Sequence, residues 1–482
     1  MKLLLILHRY LGVFVGLIML MWCLSGFVMM YQGFPDTTRT ETYQARSTLN
    51  IENCCDLGAL PVDADARASF EIRVRANEPV IDIRGGDASG TYSLTNGTPV
   101  AALNETQIAG VMADFARANG LEAQSISPEP ILKDQWSVYM WRRAAPLWRA
   151  ELGDPADTYL YVSGQSGEVA QDANSFERIL AWFGAIPHWL YPEILRANQP
   201  LWYQTVIWLT VVGMFLTVTG LTVGIIRLKR RPDRWSPYKK TMWLWHHLGG
   251  TIAGILVLTW AGSGLLTMQP WGLFESEPTT QRSQLTGSMN WAEAERLIND
   301  PSFAIPQDTI SIRSAPFAGH PALVFTDRSG AQTRFAGSGN DILSPEYVST
   351  ALTSLALPVE AVTLLEQEDA YYYGHKEDRT FPVIRVQLAD GDRTRAYIDP
   401  QSGQISRFVT ATSKRYRWLE SGFHSFDWPV LQERPFWDIV TLILMAAVTL
   451  VCGTGAWLSI SRVRRDIKMA FRKKKKRRRK LA

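Results

Sequence analysis

Cysteine is scarce in this chain, which contains four cysteines among 482 residues. None belongs to a CxxC pair or to a cysteine–histidine cluster, which excludes the common structural zinc sites, and the lack of a CxxCH motif excludes a covalently attached c-type haem. Cys23 and Cys452 lie in apolar stretches, where we interpret them as packing residues. The adjacent Cys54 and Cys55 are poorly placed to bridge each other, because that geometry is strained.

Acidic side chains, lysine and arginine are absent from four long apolar stretches, and only one stretch contains histidine, the pair His246-His247. Each stretch exceeds the roughly 20 residues that cross a ~30 Å hydrocarbon core. The first is too long for the apolar part of a signal peptide and lacks a small-residue cleavage site, so we interpret it as a retained helix. The sequence therefore predicts a mainly α-helical membrane protein with four transmembrane helices. The stretches are Tyr10–Tyr31, Leu201–Ile226, Met242–Met268 and Ile439–Ser461.

Basic residues are concentrated in the connector Arg227–Lys240 and in the tail from Arg462. The connector contains seven lysines and arginines and a single acidic residue, Asp233. The positive-inside rule places both segments and the N-terminus in the cytoplasm. The tail, which ends in FRKKKKRRRKLA, is expected to attract anionic lipid. Its basic run has no interleaved aromatic residues, so nucleic-acid binding is not expected.

The predicted organisation alternates helices with two exported α+β domains. Stretches such as Phe70–Ala76 alternate apolar and polar residues like half-buried strands, whereas Thr106–Asn119 has helical periodicity. Each domain contains a predicted hairpin, with Gly167 or Gly403 in the turn. The predicted segments are 1–31 (N-terminal tip and first helix), 32–200 (first exported domain), 201–226 (second helix), 227–240 (basic loop), 241–268 (third helix), 269–437 (second exported domain), 438–461 (fourth helix) and 462–482 (basic tail).

The chain contains an internal two-fold repeat. LHRYLGVFVGLIMLMWCLSG recurs as WHHLGGTIAGILVLTWAGSG without an intervening gap, which aligns His8 with His246. AWFGAIPH recurs as RWLESGFH at nearly the same separation along the chain, which aligns His188 with His424. Four of the seven histidines therefore form two repeat-related pairs, and these pairs fall near opposite predicted membrane faces.

Glycines mark one face of each repeated helix. Gly12 lies one turn after His8, and Gly26 lies five turns after it, about 27 Å along the same face. Small residues at such spacing let a helix or a flat ligand approach closely, so we expect these glycines to support a cofactor ring, with helix packing as the alternative. The corresponding residues of the second copy are His246, Gly250 and Gly264.

The paired histidines predict metal ligation. Opposed imidazoles on neighbouring helices hold b-type haem, and axial ligation of this kind tunes the redox potential. Polar groups within a bilayer are costly and usually functional, although a solvated interfacial residue is the simpler interpretation of any one histidine alone. We therefore predict two non-covalent b haems, with His8 and His246 as axial ligands of one and His188 and His424 as axial ligands of the other.

Two further histidines are weaker candidates. His247 aligns with Arg9 and faces about 100° away from His246, which suits a contact to a haem propionate or to lipid. His375, in DAYYYGHKEDR, is a candidate substrate contact, with an ordinary surface residue as the alternative.

Nucleotide-binding motifs are also missing, because no GxGxxG follows a predicted strand and no Walker A motif is present. The predicted cytoplasmic segments are too short for a flavin or nicotinamide domain. Electrons would therefore have to come from membrane quinol or from a separate reductase.

These motifs resemble the PepSY-associated transmembrane helix family, which includes iron-regulated membrane proteins and siderophore-iron reductases of the bacterial inner membrane. The resembling segments are HRYLGVFVGLIMLMWCLSG, HHLGGTIAGILVLTWAGSG, YYYGH, YIDPQSGQISR and the stretch from His424 to GTGAWL. The resemblance implies four helices, two PepSY-like periplasmic domains and, in reductase members, two b haems that pass electrons to a ferric chelate. The first domain departs from the family pattern, with WSVYMW in place of the YYY-H motif and Ser163-Gly164 in place of D-P.

The leading hypothesis is an inner-membrane di-haem b electron-transfer protein that reduces ferric-siderophore iron in the periplasm and releases Fe(II). Aromatic residues near the outer surface are candidates for a docking rim, with interface anchoring as the alternative. One competing hypothesis is a membrane-anchored PepSY interaction or regulatory module without redox activity. Another keeps the haems but changes the periplasmic acceptor. The candidate rim residues are Trp189, Tyr191, Trp202 and Trp428.

Overall fold

A computed structural model describes residues 2–49, 57–229, 236–274, 280–337, 342–375 and 379–481, without the side chains of residues 229 and 473–481. The chain forms two compact units. The membrane unit comprises Met1–Phe34, Glu177–Glu275 and Arg415–Ala482, and the sheet unit comprises Pro35–Phe176 and Ser276–Lys414. Cys54 and Cys55 lie outside the described residues.

Helices and strands alternate along the chain. The helices are α1 (Lys2–Met29), α2 (Arg39–Ala45), α3 (Glu105–Ala118), α4 (Ser175–Phe183), α5 (Ala185–Trp189), α6 (Glu193–Arg196), α7 (Gln199–Lys229), α8 (Thr241–Ile252), α9 (Gly254–Thr267), α10 (Thr280–Thr286), α11 (Trp291–Ile298), α12 (Pro345–Ser354), α13 (Ala411–Tyr416), α14 (Gly422–His424) and α15 (Phe436–Leu481). The strands are β1 (Phe70–Arg75), β2 (Glu78–Ile83), β3 (Gly90–Ser93), β4 (Glu129–Ile131), β5 (Leu147–Glu151), β6 (Tyr159–Ser163), β7 (Val169–Ala173), β8 (Thr309–Ser314), β9 (Leu323–Asp327), β10 (Gln332–Phe335), β11 (Val359–Leu365), β12 (Val383–Leu388), β13 (Arg395–Ile398) and β14 (Ile405–Val409).

Among the described residues, three helices, α1, α7 and α15, are long and apolar enough to cross a membrane. The predicted third transmembrane helix, Met242–Met268, is not straight in the structure. It consists of α8 and α9, which meet at a bend of 59°, and the chain has a fourth candidate span only if this bent pair is counted as a single span. Glycine weakens a helix locally, and the bend falls where Gly254 approaches α7. A Cβ on Gly254 would lie 2.8 Å from the Cδ2 atom of Leu221. The helix α15 also continues past Ser461, so the predicted start of the basic tail is not a helix end.

The helices of the membrane unit pack pairwise in a repeated arrangement. α1 packs against α7 and α15, whereas α8 packs against α15 and α9 packs against α7. The core between them includes Met19, Val257 and Val448. Cys23 and Cys452 are free thiols with Sγ atoms 3.5 Å apart in this core, which agrees with their interpretation as packing residues.

The sheet unit is built around one six-stranded sheet in the order β10-β9-β8-β1-β2-β3. Its two halves join where β1 pairs with β8 in antiparallel register, with Ile72 opposite Ile312. The predicted division into separate exported domains, 32–200 and 269–437, is therefore corrected. Each half contributes a three-stranded meander with an unpaired edge strand, and pairing the two edges satisfies their backbone hydrogen bonds. Residues 177–200, 269–275 and 415–437 of the predicted domains belong to the membrane unit.

Two four-stranded sheets, β4-β5-β6-β7 and β11-β12-β13-β14, complete the sheet unit. Each packs one face on a single helix, α3 in the first copy and α12 in the second. The predicted hairpins are present in both, and Gly167 and Gly403 have φ of 69° and 70° in the turns. These conformations require glycine, because a Cβ would be strained there.

A partly buried carboxylate organises the other face of each four-stranded sheet. Asp369 accepts hydrogen bonds from the backbone N–H groups of Tyr371 and Tyr372, both 2.8 Å away, and from the hydroxyl of Tyr397 at 2.7 Å. Burial raises the pKa of Asp369, but these hydrogen bonds outweigh it and hold the pKa below its usual range. In the first copy, Asp134 accepts a 2.7 Å hydrogen bond from the hydroxyl of Tyr161.

Replacement of Asp369 by asparagine is expected to destabilise the second four-stranded sheet by about 2 kcal/mol, because an amide NH₂ faces donors there. Hydrogen exchange of the β13 and β14 amides measures this local stability. A folded pKa below the unfolded value of about 3.9 stabilises the fold above that pH, so the difference from wild type should shrink as the pH falls below about 4. Asp392→Asn, at an exposed position of the same sheet, is the matched control. Equal amide protection in the Asp369→Asn and Asp392→Asn variants would contradict the stabilising role assigned to Asp369.

Candidate functional site

His8 and His246 are brought together in the membrane unit. His8 lies on α1 and His246 on α8, and their ring centroids are 6.1 Å apart with an interplanar angle of 26°. Two imidazoles that each place Nε2 about 2 Å from one metal ion have centroids roughly 6 Å apart. The separation therefore suits two axial ligands of a shared metal.

The Nδ1 atom of His8 faces α7. It lies 3.1 Å from the carbonyl oxygen of Leu216 and 3.3 Å from the hydroxyl oxygen of Thr219. The Thr219 hydroxyl donates to the same carbonyl, so both groups are acceptors toward the ring and the network assigns the proton to Nδ1. This tautomer leaves the Nε2 lone pair available, as in metal-bound histidines whose other nitrogen donates to a carbonyl.

His246 repeats the arrangement on α15. Its Nδ1 atom lies 3.2 Å from the carbonyl oxygen of Val451 and 3.3 Å from the hydroxyl oxygen of Thr454. The Thr454 hydroxyl donates to backbone carbonyls of its own helix, so Nδ1 again carries the proton. Both imidazoles of the pair thus have the same tautomer and the same kind of support.

A glycine faces each ring of this pair. A Cβ on Gly220 would lie 2.7 Å from Cε1 of His8, and a Cβ on Gly455 would lie 3.0 Å from Cε1 of His246. Gly12 and Gly250, which the sequence predicts to support a cofactor ring, lie against side chains other than the histidines. A Cβ on Gly12 would meet the Ser459 hydroxyl at 3.4 Å, and one on Gly250 would meet Val451 at 3.8 Å. Gly12 and Gly250 therefore serve helix packing.

His188 and His424 form the second pair, with ring centroids 6.2 Å apart and an interplanar angle of 53°. The Nδ1 atom of His188 lies 3.1 Å from the hydroxyl of Ser25, and that of His424 lies 3.4 Å from the hydroxyl of Ser263. Both serine hydroxyls donate to carbonyls within their own helices, so each accepts from the ring. Nδ1 therefore carries the proton on both rings, the same tautomer as in the first pair.

The outer glycines of the predicted stripes lie beside this pair. A Cβ on Gly264 would come within 3.0 Å of Cε1 of His424, and one on Gly26 within 3.8 Å of Cε1 of His188. Both outer glycines therefore face the second histidine pair.

Local backbone structure positions His188 and His424. His424 lies on α14, which directly follows a π-helix over Arg417–Ser421, a conformation that is rare and frequent at functional sites. The indole Nε1 of Trp260 donates to the carbonyl of His424 at 3.0 Å. Burial lowers the pKa of His188, and the hydrogen bond to the carbonyl of Trp22 offsets this only in part. The neutral form that ligates metals is therefore favoured.

An apolar groove with a volume of about 580 Å³, largely open on one side, runs along α15. Thr454, which contacts His246, and Gly453 are among its lining residues. The other lining residues are Phe27, Met242, Ala446, Thr449, Leu450 and Trp457.

The donor set fits haem better than a bare metal ion. Within the described parts of the chain, no group of three or more His, Cys, Asp or Glu side chains is placed to hold a metal. A zinc site needs about four protein ligands or three with a water, whereas haem needs only one or two axial ligands from the protein. At the His8–His246 pair, two facing imidazoles with hydrogen-bonded Nδ1 atoms and glycines against the rings meet that requirement.

The weaker candidates are placed differently. His247 is buried, with Nδ1 2.8 Å from the hydroxyl of Ser236 and Nε2 3.2 Å from the carbonyl of Gly224. Both nitrogens are engaged within the protein, so the expectation of a lipid or propionate contact is corrected to a structural role. His375 belongs to the sheet unit, in the loop after Tyr373, and is half-buried.

Sequence reasoning did not identify the residues of α7 and α15 that contact the rings. A signal for them exists, because Thr219-Gly220 of α7 recurs as Thr454-Gly455 at the corresponding position of α15. The shared pattern is only Thr-Gly, which is too short to stand out from the apolar background.

The apolar helices and the sheet-containing unit define a membrane protein with α+β parts. The family model described as the PepSY-associated TM region matches residues 5–340, more than half of the chain, and the chain belongs to this family. No curated protein matches the chain.

Proposed function

We propose that this protein is a di-haem b electron-transfer protein that carries electrons across the bacterial inner membrane and reduces ferric iron held by a siderophore. The observation that carries the proposal is the repeated pair of facing imidazoles, with centroids 6.1 Å and 6.2 Å apart. When bound, haem supplies one-electron redox chemistry at each pair.

The protein's own residues prepare each site for that role. The carbonyls of Leu216 and Val451 and the hydroxyls of Ser25 and Ser263 accept from Nδ1, and they so favour the tautomer in which Nε2 carries the lone pair that binds a metal. Hydrogen bonding of this kind fixes ring orientation and raises ligand basicity. The apolar shell of the membrane unit excludes water and lowers the local dielectric, which also tunes a redox potential.

The positive-inside rule gives the direction of transfer. The basic residues from Arg462 onward, in the C-terminal part of α15, favour a cytoplasmic location for the end of the bundle that contains His8 and His246, near the start of α1 and α8. Electrons would enter there from quinol or a separate reductase. The His188–His424 pair would then lie at the periplasmic side, where a ferric chelate is the acceptor. Fe(II) binds hard oxygen ligands less tightly than Fe(III), so reduction releases the metal.

An optical spectrum of the purified protein tests the proposal. Oxidised and dithionite-reduced spectra, with pyridine haemochrome quantification, should show sharp reduced α and β bands and about two b haems per chain. Stopped-flow mixing of the reduced protein with a ferric chelate should then reoxidise both. A colourless protein from haem-replete cells would refute the proposal and favour a membrane-anchored interaction module. If the protein contains two haems but a ferric chelate does not reoxidise them, the electron-transfer role would stand and the ferric chelate would be excluded as the acceptor.

A further inference from the structure

Two arginines lie over tryptophan rings next to the chain segments that contain His188 and His424. The guanidinium carbon of Arg196 lies 4.5 Å from the ring centre of Trp202 and 5.0 Å from that of Tyr191. The guanidinium carbon of Arg434 lies 5.4 Å from the ring centre of Trp437 and 5.8 Å from that of Tyr31. The two tryptophans occupy corresponding positions near the starts of α7 and α15, in the same register that aligns Thr219-Gly220 with Thr454-Gly455.

Both tryptophans are fixed to the histidine segments. The indole N–H of Trp202 donates to the carbonyl of Trp189 at 2.8 Å, and the indole N–H of Trp437 donates to the carbonyl of Ser425 at 2.9 Å. Trp189 directly follows His188, and Ser425 directly follows His424. Each arginine is therefore held beside the chain that presents one histidine of the pair.

The stacking leaves hydrogen-bonding capacity in the plane of each guanidinium. Cation–π contact uses the face of the group, whereas its five N–H donors point outward in the plane and match the geometry of carboxylate oxygens. Arg196 forms no ion pair within the described structure, and its Nε has no hydrogen-bond partner there. Arg434 is about half exposed, and Asp438 lies 3.9 Å from it, beyond hydrogen-bond distance.

Asp438 offsets the charge of Arg434 in part through a long ion pair of 3.9 Å, whereas Arg196 has no carboxylate within that range in the described chain. Asp438 already accepts a hydrogen bond from the Tyr31 hydroxyl at 3.1 Å, and it is the one carboxylate within 4 Å of either guanidinium in the described chain. Two ordered cations at the same level of the repeat thus remain available to an anionic ligand at the pair that the proposed function makes the exit site for electrons.

We propose that Arg196 and Arg434 form a docking clamp for the oxygen anions of the ferric chelate, so that the preferred substrate is an anionic carboxylate or catecholate complex and not a neutral trihydroxamate. This inference rests on the proposed function for its substrate. Bidentate contact with each guanidinium would hold the chelate beside the His188–His424 pair and select for negative charge.

Binding of a redox-inert analogue tests the clamp separately from electron transfer. Gallium(III) citrate and a neutral gallium(III) trihydroxamate are titrated calorimetrically into the full-length protein in phosphatidylcholine nanodiscs. Arg196→Gln and Arg434→Gln should each weaken citrate-complex binding by roughly tenfold, the size of one lost charged hydrogen bond. Arg434 is exposed, so its variant should fold even if Arg196→Gln does not. Arg196→Lys should restore only part of the affinity, because lysine lacks the planar fork.

Arg227→Gln is the matched control, because Arg227 stacks on Tyr238 at 5.8 Å at the opposite end of α7. The Arg227→Gln variant should bind the gallium citrate complex as tightly as the wild type. No variant should change its affinity for the gallium trihydroxamate. Unchanged citrate affinity in both arginine variants, equal weakening of both chelates, or no binding by the wild type would overturn the clamp. Loss of co-purified anionic lipid with unchanged chelate affinity would assign the arginines to lipid headgroups and also overturn it. Haem content is measured on the same samples, so a protein without haem that still binds the citrate complex through these arginines would refute electron transfer and keep the clamp.

Discussion

Replacement of His246 by alanine is expected to remove one of two haems and leave the other in place. The two histidine pairs use different ligands, and each is anchored by its own hydrogen bonds, Val451 for His246 and Ser25 for His188. Loss of one axial imidazole leaves an incomplete site at one pair only. Haem quantification should fall from about two per chain to about one, and a redox titration should lose one of two midpoint potentials.

His247→Ala is the matched control for this experiment. His247 adjoins His246 on α8, is buried, and bonds Ser236 and Gly224 instead of facing His8. Its replacement should leave both haems in place. The complementary variant His424→Ala should remove the other haem and keep the potential that His246→Ala eliminates. Full haem content in all four single variants, at His8, His188, His246 and His424, would refute the ligand assignment.

The sequence was sufficient to predict the pairing of these histidines, because duplication preserves residue type and spacing within a helix. The same alignment that places His8 on His246 also places Ser25 on Ser263, and both serines contact a histidine in the structure. Membership of the PepSY-associated family was predicted from the same segments and is confirmed. The membrane character of the chain was predicted from the length of its uncharged apolar stretches alone, and this property depends little on tertiary context.

Features that depend on contacts between distant segments were not predictable. The pairing of β1 with β8 joins residues 70–75 to 309–314, and neither strand specifies its partner in its own sequence. The bend between α8 and α9 arises where Gly254 meets Leu221 of another helix, although the apolar run itself is continuous. The same reasoning applies to Gly220 and Gly455, whose role depends on which ring faces them.

Replacement of Gly220 by alanine is expected to disrupt the His8–His246 site, because the added methyl group would lie 2.7 Å from Cε1 and 3.2 Å from Nδ1 of His8. Real Cβ contacts are longer, so the ring must move and its hydrogen bond to Leu216 must lengthen. Helix propensity acts in the opposite direction, since alanine favours a helix by about 1 kcal/mol over glycine. A loss of haem at this pair would therefore not reflect a weaker helix.

Gly12→Ala provides the contrasting case for the same site. Gly12 was predicted from its spacing to support the cofactor ring, whereas the structure places it 3.4 Å from the Ser459 hydroxyl and not against a histidine. Haem content and the two midpoint potentials should change in Gly220→Ala and remain near wild type in Gly12→Ala. The reverse result would favour the helix-stripe prediction over the contacts described for α7. Equal and complete haem retention in both variants would show that His8 tolerates displacement, which is incompatible with a fixed axial ligand at this position.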